Sequence, residues 1–221
     1  LDYESIKSYT LSVRVQDPES LASTAVVTIN VTDASDESPT MNDQTFSVPE
    51  NSANGTQVGK IVFSDLDVND SHTFTINSGN GGGGGAFQIA NNSGIITVKD
   101  SAQLNFETTP QFVLNVTITD VGNHTDTADI TINVTNLNEK PNVSDQQFTI
   151  SEDAANGSVV GTVVATDPEG DTLTFARTGG STAFAINSSS GQVTVADNTL
   201  LDFETNPAPT FVGTALDTGG Q

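Results

Sequence analysis

Apolar residues occupy every second position along several stretches of the chain. These positions are Tyr9, Leu11, Val13 and Val15; Val27, Ile29 and Val31; Phe112, Leu114, Val116 and Ile118; and Ile130, Ile132 and Val134. A period of two with polar residues between predicts strands that bury one face. Turn pairs such as Asn-Gly at 54–55 and 156–157 separate them, and no long segment has the helical period. The pattern predicts an all-β fold, a string of antiparallel β-sandwiches.

The alternating strands belong to a repeat about as long as a whole domain. The motif LDYE at 1–4 returns as LNFE at 104–107 and LDFE at 201–204. Other pairs follow in the same order: VTINVTD and ITINVTN, VPEN and ISED, SGIITV and SGQVTV. A period of this size indicates tandem domains rather than solenoid turns.

The repeats divide the chain into three parts. Residues 1–38 hold the last two strands of a first repeat and a linker, 39–140 a complete repeat, and 141–221 a repeat without its last strand. The linkers DASDESP and NLNEKP are short and end in proline, so neighbouring sandwiches are expected to come close together. Because the chain opens on Leu1 and shows no signal peptide, we expect it to be part of a longer protein.

Charge narrows the possible partners. The chain of 221 residues has 28 acidic side chains against 6 Lys and Arg, a formal net charge of −22. Such a charge disfavours nucleic acid and anionic membrane surfaces and favours cations. The absence of cysteine excludes disulfides and thiolate metal sites, and no apolar run is long enough to cross a bilayer.

The acids fall at strand ends and in the linkers, where successive sandwiches are predicted to meet. SDLD at 64–67 and TDPEGD at 166–171 each follow an apolar run. Convergent carboxylate, amide and carbonyl oxygens suit Ca²⁺, which takes six to eight oxygen ligands, whereas transition metals favour His or Cys. The sequence therefore predicts calcium sites between the repeats.

These motifs resemble the cadherin repeat over essentially the whole chain, and phrases such as ATDPEGDTLTF resemble its bacterial cadherin-like relatives. PEN at 49–51 is similar to the family's first-strand Glu motif, the three LDxE-like motifs to its LDRE, and SDLD and TDPE to its DxD. The resemblance implies tandem antiparallel Greek-key β-sandwiches of immunoglobulin-like architecture. It also implies Ca²⁺ ions that stiffen a rod of repeats. The first junction would use Asp2, Glu4, Asp33, Asp36, Glu37, Asp65, Asp67 and Asp120. The second would use Glu50, Glu107, Asn136, Asn138, Glu139, Asp167, Glu169 and Asp217.

The acidic residues and the two histidines also allow simpler interpretations than calcium binding. The acids could be solvated turn residues, although turn chemistry does not explain the recurring Glu of PEN and LDxE. An EF-hand starting at Asp65 fails, because Asp70 replaces its glycine and Ile76 its final Glu. His72 and His124 lie in polar turns and are predicted to be solvated.

We expect an extracellular, cell-surface structural or adhesive rod rather than an enzyme, since no nucleophile–base motif occurs. It would form a segment of a prokaryotic adhesin, matrix protein or filament. Its predicted partners are other copies of the chain, bound head-to-tail, and cell-surface glycans or matrix. The alternative is a carbohydrate-binding β-sandwich module, which the lack of Trp disfavours.

Overall fold

The computed structural model describes residues 1–67 and 70–220, which fold into two compact units, 1–136 and 137–221. Helical structure in the described residues is limited to two 3₁₀ turns, Ser101–Gln103 and Asn198–Leu200. The prediction of an all-β fold is therefore confirmed.

The first unit begins with a long hairpin. Strand β1 (Ser8–Gln16) pairs antiparallel with β2 (Ala22–Asn30) along their full length. Leu11 lies opposite Val27, so the alternation predicted from the sequence places apolar side chains on one face of the hairpin. Both residues are more than two-fifths exposed. The hairpin thus forms the predicted strands without burying its apolar face.

The rest of the first unit is a complete sandwich of seven strands. They are β3 (Gln44–Pro49), β4 (Gln57–Lys60), β5 (Thr73–Ser78), β6 (Phe87–Ile89), β7 (Ile95–Val98), β8 (Gln111–Thr119) and β9 (Thr125–Thr135). One sheet has the order β3-β9-β8-β5 and the other β4-β7-β6. Between them lies a core that includes Phe74, Phe87, Leu114 and Ile130.

One strand pair of this sandwich runs parallel. Strand β3 pairs with β9 from Gln44 opposite Ile130 to Pro49 opposite Thr135, whereas the other ladders of both units are antiparallel. The first and last strands of the sandwich therefore lie side by side.

The second unit has a similar order of strands, but its largest described sheet has three strands rather than four, and its buried core is smaller. Its strands are β10 (Asn142–Val143), β11 (Val159–Thr162), β12 (Ala165–Thr166), β13 (Thr174–Gly180), β14 (Phe184–Ile186), β15 (Gln192–Val195) and β16 (Phe211–Leu216). They form the sheets β10-β12, β11-β15-β14 and β13-β16. Of its described apolar residues, Ala183, Phe184, Val193 and Val195 are buried.

The segment 146–151 shows why the second unit differs from the first. Its sequence QQFTIS matches QTFSVP of β3, yet it forms no strand. Strand β3 exists as a ladder partner of β9, and the described part of the second unit has no strand in the corresponding place. The same apolar pattern thus forms a strand beside β9 in the first unit and none in the described part of the second.

Candidate metal centre

The first acidic cluster brings together residues from three separate segments. Glu4 lies in the turn before β1, Asp36 and Glu37 lie in the linker, and Asp67 follows the bridge between Thr40 and Ser64. One carboxylate oxygen from each of these four acids lies within 4.8 Å of the others. The linker is held to this place because the Glu37 backbone N–H donates to Asp67 Oδ2 at 3.0 Å.

Several carboxylate oxygens of this cluster are buried without a hydrogen-bond donor. They are Oε1 of Glu4, Oε2 of Glu37 and Oδ1 of Asp67. Burial raises the pKa of Glu37 to about 7, and the neighbouring carboxylates of Asp67 and Asp36 contribute to the rise. Burial also raises the pKa of Glu4, helped by the nearby Asp33 and Asp67. The cluster thus concentrates negative charge that the protein's own donors do not satisfy.

A second cluster consists of Asp65, Asp70 and Asp120, whose carboxylate oxygens also lie within 4.8 Å of one another. Here the carboxylates are well supplied with donors. The Ser35 hydroxyl donates to Asp70 Oδ2 at 2.6 Å, and the Gly122 backbone N–H donates to the same hydroxyl oxygen at 3.0 Å. The linker and the β8–β9 turn are therefore joined at this cluster.

Two histidines hold carboxylates of the second cluster. His72 Nε2 lies 2.6 Å from Asp65 Oδ2, and the His72 side chain is 9% exposed. His124 Nδ1 lies 3.0 Å from Asp120 Oδ2, with its side chain 38% exposed. Burial raises the pKa of Asp120, but the hydrogen bonds from His124 outweigh it, so the pKa lies below its usual value. The prediction that both histidines are merely solvated is wrong, because each contacts a buried carboxylate.

The remaining residues predicted for the first junction lie beside these clusters or apart from them. Asp33 lies beside Glu4 and places its Oδ1 in a buried position. Asp2 is exposed, and its carboxylate accepts from the backbone N–H and hydroxyl of Ser5 at 2.9 and 2.8 Å. These bonds lower the pKa of Asp2. Asp2 thus caps its own turn and lies outside both clusters.

The residues predicted for the second junction are divided between the two units, and each unit can be described by itself. In the first, Glu50 is buried and its Oε2 accepts from the Phe106 backbone N–H at 2.9 Å, while Glu107 and Asn136 are exposed. The motifs PEN and LNFE are therefore joined by a hydrogen bond between Glu50 and Phe106.

In the second unit, the predicted ligands form two hydrogen-bonded pairs. Asn138 Nδ2 donates to Asp217 Oδ2 at 2.7 Å, and the Glu139 backbone N–H donates to Glu169 Oε1 at 3.3 Å. Asp167 Oδ1 accepts from the backbone N–H groups of Glu169 and Asp171, each at 3.1 Å. The linker of this unit is thus attached to the loop that carries TDPEGD.

Sequence reasoning missed several acids that the structure brings together. Asp70 completes the second cluster, although it was considered only as a failed EF-hand position. A third cluster in the second unit joins Glu152, Asp202 and Glu204, all exposed. The repeat could have identified this third cluster, because its three acids match Glu50, Asn105 and Glu107 of the first unit.

These features define a class: tandem immunoglobulin-like β-sandwiches of extracellular repeat type, with acidic clusters at strand ends and linkers. Residues 44–135 match the family described as Cadherin domain, and residues 138–218 match the Bacterial Ig domain. The chain is therefore cadherin-like, with a cadherin domain followed by an immunoglobulin-like domain. Cadherin domains generally bind Ca²⁺, and the acidic clusters give this chain the corresponding type of ligand.

The curated relatives are cadherins. The chain is 31% identical over 229 residues to human Cadherin EGF LAG seven-pass G-type receptor 2, and 31% identical over 236 residues to human Protocadherin Fat 1. Each alignment covers 99% of this chain, but only 8% and 5% of the relatives. The chain thus spans less than a tenth of these proteins.

Solved cadherin ectodomains share the fold. Mouse Protocadherin-24 EC1-3 matches with a TM-score of 0.67 at 22% identity, covering 100% of this chain and 78% of that one. The human Desmocollin-1 ectodomain matches with a TM-score of 0.64 at 22% identity, covering 100% and 46%. In the part of this chain that the structure describes, no helix has the length and apolar character needed to span a membrane.

Proposed function

We propose that this chain is a segment of a calcium-stiffened extracellular rod, in a surface adhesin, matrix protein or filament, with Ca²⁺ held where repeats meet. The observation that carries the proposal is the set of buried, donor-free carboxylate oxygens on Glu4, Glu37 and Asp67. A buried carboxylate without a partner is costly, and oxygen is the ligand type that Ca²⁺ prefers. The donor set therefore fits calcium.

The cluster would act by converting repulsion into coordination. Glu4 lies before the β1–β2 hairpin, Glu37 in the linker and Asp67 in the middle repeat. The three segments therefore carry like charges toward each other. A bound divalent cation would offset those charges. The same acids that drive the segments apart would then hold them together, with Asp33, Asp36, Asp65 and Asp120 as further ligands.

We propose a second site from Glu50, Glu107, Asn136, Asn138, Glu139, Asp167, Glu169 and Asp217. This assignment rests on the resemblance of the motifs. Asn105 replaces an acid of LDxE and Lys140 stands where the linker motif has an Asn, so this site carries less ligand charge and would bind fewer ions. The repeat boundaries 39–140 and 141–221 are part of the same proposal.

A prokaryotic cell surface is the setting we favour for the whole protein. The match of residues 138–218 to the Bacterial Ig domain supports it. The curated relatives named above are human proteins. They support the assignment of the repeat to the cadherins and not the prokaryotic setting.

The test is calorimetric titration of Ca²⁺ into the 1–221 chain and into the double variant Glu37→Gln, Asp67→Asn. The wild-type chain is expected to bind with Kd of about 10⁻⁴ to 10⁻³ M, the range of extracellular calcium modules. The double variant should lose the first-junction component.

The matched control is Glu19→Gln with Asp145→Asn, which changes the charge equally at two exposed acids outside the clusters. It should bind like the wild-type chain. Equal binding by all three proteins would reject the assignment of Glu37 and Asp67, and no binding by the wild-type chain would reject the proposed function.

A further inference from the structure

His72 is a polar residue with a side chain only 9% exposed, and neither the strand pattern nor the family motifs account for it. It lies just before β5, on the segment that leads from the second cluster into the core. Its ring packs 4.6 Å from the ring of Phe63, and Phe63 in turn packs edge-on against Phe74. The imidazole is thus fixed by aromatic packing on one side and faces Asp65 on the other.

Asp65 has a donor for each of its oxygens. Its Oδ1 accepts from the Asp67 backbone N–H at 3.1 Å, and its Oδ2 is 2.6 Å from His72 Nε2. Because an ionised carboxylate only accepts, His72 must donate from Nε2, whether the ring is neutral or charged. The carboxylate is thereby held in one orientation, with its remaining lone pairs available to the cluster.

The second unit shows the same carboxylate without the histidine. Thr73 pairs with Thr119, and Thr174 pairs with Leu216, so the preceding residues His72 and Leu173 occupy equivalent places. Asp167 Oδ1 accepts from the Glu169 backbone N–H, as Asp65 Oδ1 does from that of Asp67. Asp167 Oδ2 is buried with no hydrogen-bond partner. Replacing His by Leu at this place therefore coincides with loss of the donor to Oδ2.

We propose that His72 is a positioning residue for the first-junction cation site, which sets the orientation of the Asp65 carboxylate before the ion binds. This rests on the proposed function, because it assumes that Asp65 is a ligand. His124 supports Asp120 in a similar way, but its side chain is four times as exposed as that of His72. The contribution of His72 should therefore be the larger of the two.

The test compares His72→Leu with His72→Gln in the full 1–221 chain. Leucine is the residue that the second unit has at this place, and glutamine keeps an N–H near the position of Nε2. Loss of a hydrogen bond to a ligating carboxylate typically weakens metal binding by about 10- to 100-fold. His72→Leu is expected to weaken first-junction Ca²⁺ binding by about tenfold at least. His72→Gln should keep most of the wild-type affinity.

A second measurement does not depend on calcium or on a variant of His72. NMR of histidine ring nitrogens in the metal-free wild-type chain should show a proton on Nε2 of His72, protected from exchange. The converse variant Leu173→His should give the same signal in the second unit.

The outcomes separate the two proposals. A wild-type chain that binds no Ca²⁺ rejects the proposed function, and with it this role. Wild-type binding that His72→Leu leaves unchanged overturns the positioning role alone, as would a His72 ring without a proton on Nε2. A lower melting temperature of His72→Leu in EDTA, with unchanged Ca²⁺ affinity, would make His72 purely structural and also overturn it.

Discussion

At the scale of single residues, the carboxylates of this chain differ in how completely their hydrogen-bonding capacity is met. The carboxylates of Asp65 and Asp120 each form one hydrogen bond with a histidine ring and accept one from a backbone N–H. Glu4 and Glu37, in contrast, each have a buried carboxylate oxygen without a donor. We regard the unmet oxygens as the positions where a cation is needed and the satisfied carboxylates as the frame around them.

The raised pKa of Glu37 predicts how stability changes with pH. Its value rises from the ordinary 4.5 to about 7 in the folded, metal-free chain, so between those values the folded state binds more protons than the unfolded state. Stability of the first unit in EDTA should therefore fall as the pH rises from about 5 to about 8. Thermal melts in EDTA across this range test it, and Glu37→Gln should reduce the slope.

With excess Ca²⁺ this pH effect should disappear, because the bound ion keeps the Glu37 carboxylate ionised in the folded chain and competes with the proton. Calcium affinity is expected to rise as the pH increases through about 7. Titrations at several pH values provide the measurement, and an affinity independent of pH in this range would contradict the assignment of Glu37 as a ligand.

The sequence predicted all four acids of the first cluster, because the repeat and its linker mark them by position. It did not predict the contact between His72 and Asp65. The two residues are seven apart across an irregular loop, where no strand or helix period fixes which side chains meet. The sequence also did not predict that the backbone N–H and hydroxyl of Ser5 donate to the Asp2 carboxylate. The role of Asp2 as a ligand stays a prediction.

At the scale of elements, the alternation of apolar residues predicted the strands but not their partners. Strand β8 buries Phe112, Leu114, Val116 and Ile118 as its pattern indicates. The parallel pairing of β3 with β9 was not predicted, since a period of two is the same for both directions of pairing. Likewise, 146–151 carries the pattern of β3 and is not a strand.

The close approach of β3 to β4 makes Gly59 a sensitive position. A Cβ at Gly59 would overlap the ring of Phe46, and Gly161 stands in the same relation to Phe148. Gly59→Ala is expected to destabilise the first unit by about 1–3 kcal/mol, the usual cost of overpacking. Urea unfolding measures this. Gly82→Ala, whose Cβ would meet nothing within 4 Å, is the control and should be close to neutral.

The sandwich of the first unit should be more stable than the second unit. Where β8 has four buried apolar residues, the second unit has Pro209, Phe211, Gly213 and Ala215, none of them buried. Truncation of core side chains costs about 1–5 kcal/mol each. Native-state hydrogen exchange should find amides of β8 and β9 more protected than those of β13 and β16, and the reverse order would refute this.

At the scale of the whole molecule, the exposed face of the β1–β2 hairpin favours association between copies. On the face that carries Leu11 and Val27, Val15 is 69% exposed and Leu11 and Ile29 are each 48% exposed. Contiguous exposed apolar surface commonly marks an interaction site. The hairpin also resembles a strand that is buried elsewhere in the chain, since AVVTINVTD at 25–33 is close to ADITINVTN at 128–136.

We therefore expect the 1–221 chain to sediment as oligomers whose size increases with protein concentration. The double variant Leu11→Thr, Val27→Thr keeps the β propensity of the hairpin and lowers its apolar surface, and it should remain monomeric. A wild-type chain that is monomeric at high concentration in the presence of calcium would reject head-to-tail association.

The parallel pairing of β3 and β9 has a consequence for a protein under tension. The chain enters the middle sandwich at β3 and leaves it at β9, and the two strands point the same way along six paired positions. A pull on both ends of the chain therefore slides one strand along the other, and the ladder's hydrogen bonds are loaded together rather than one after another. Such a sandwich should yield abruptly at high force in single-molecule stretching, whereas the antiparallel β1–β2 hairpin, pulled apart from its open end, should unzip at low force.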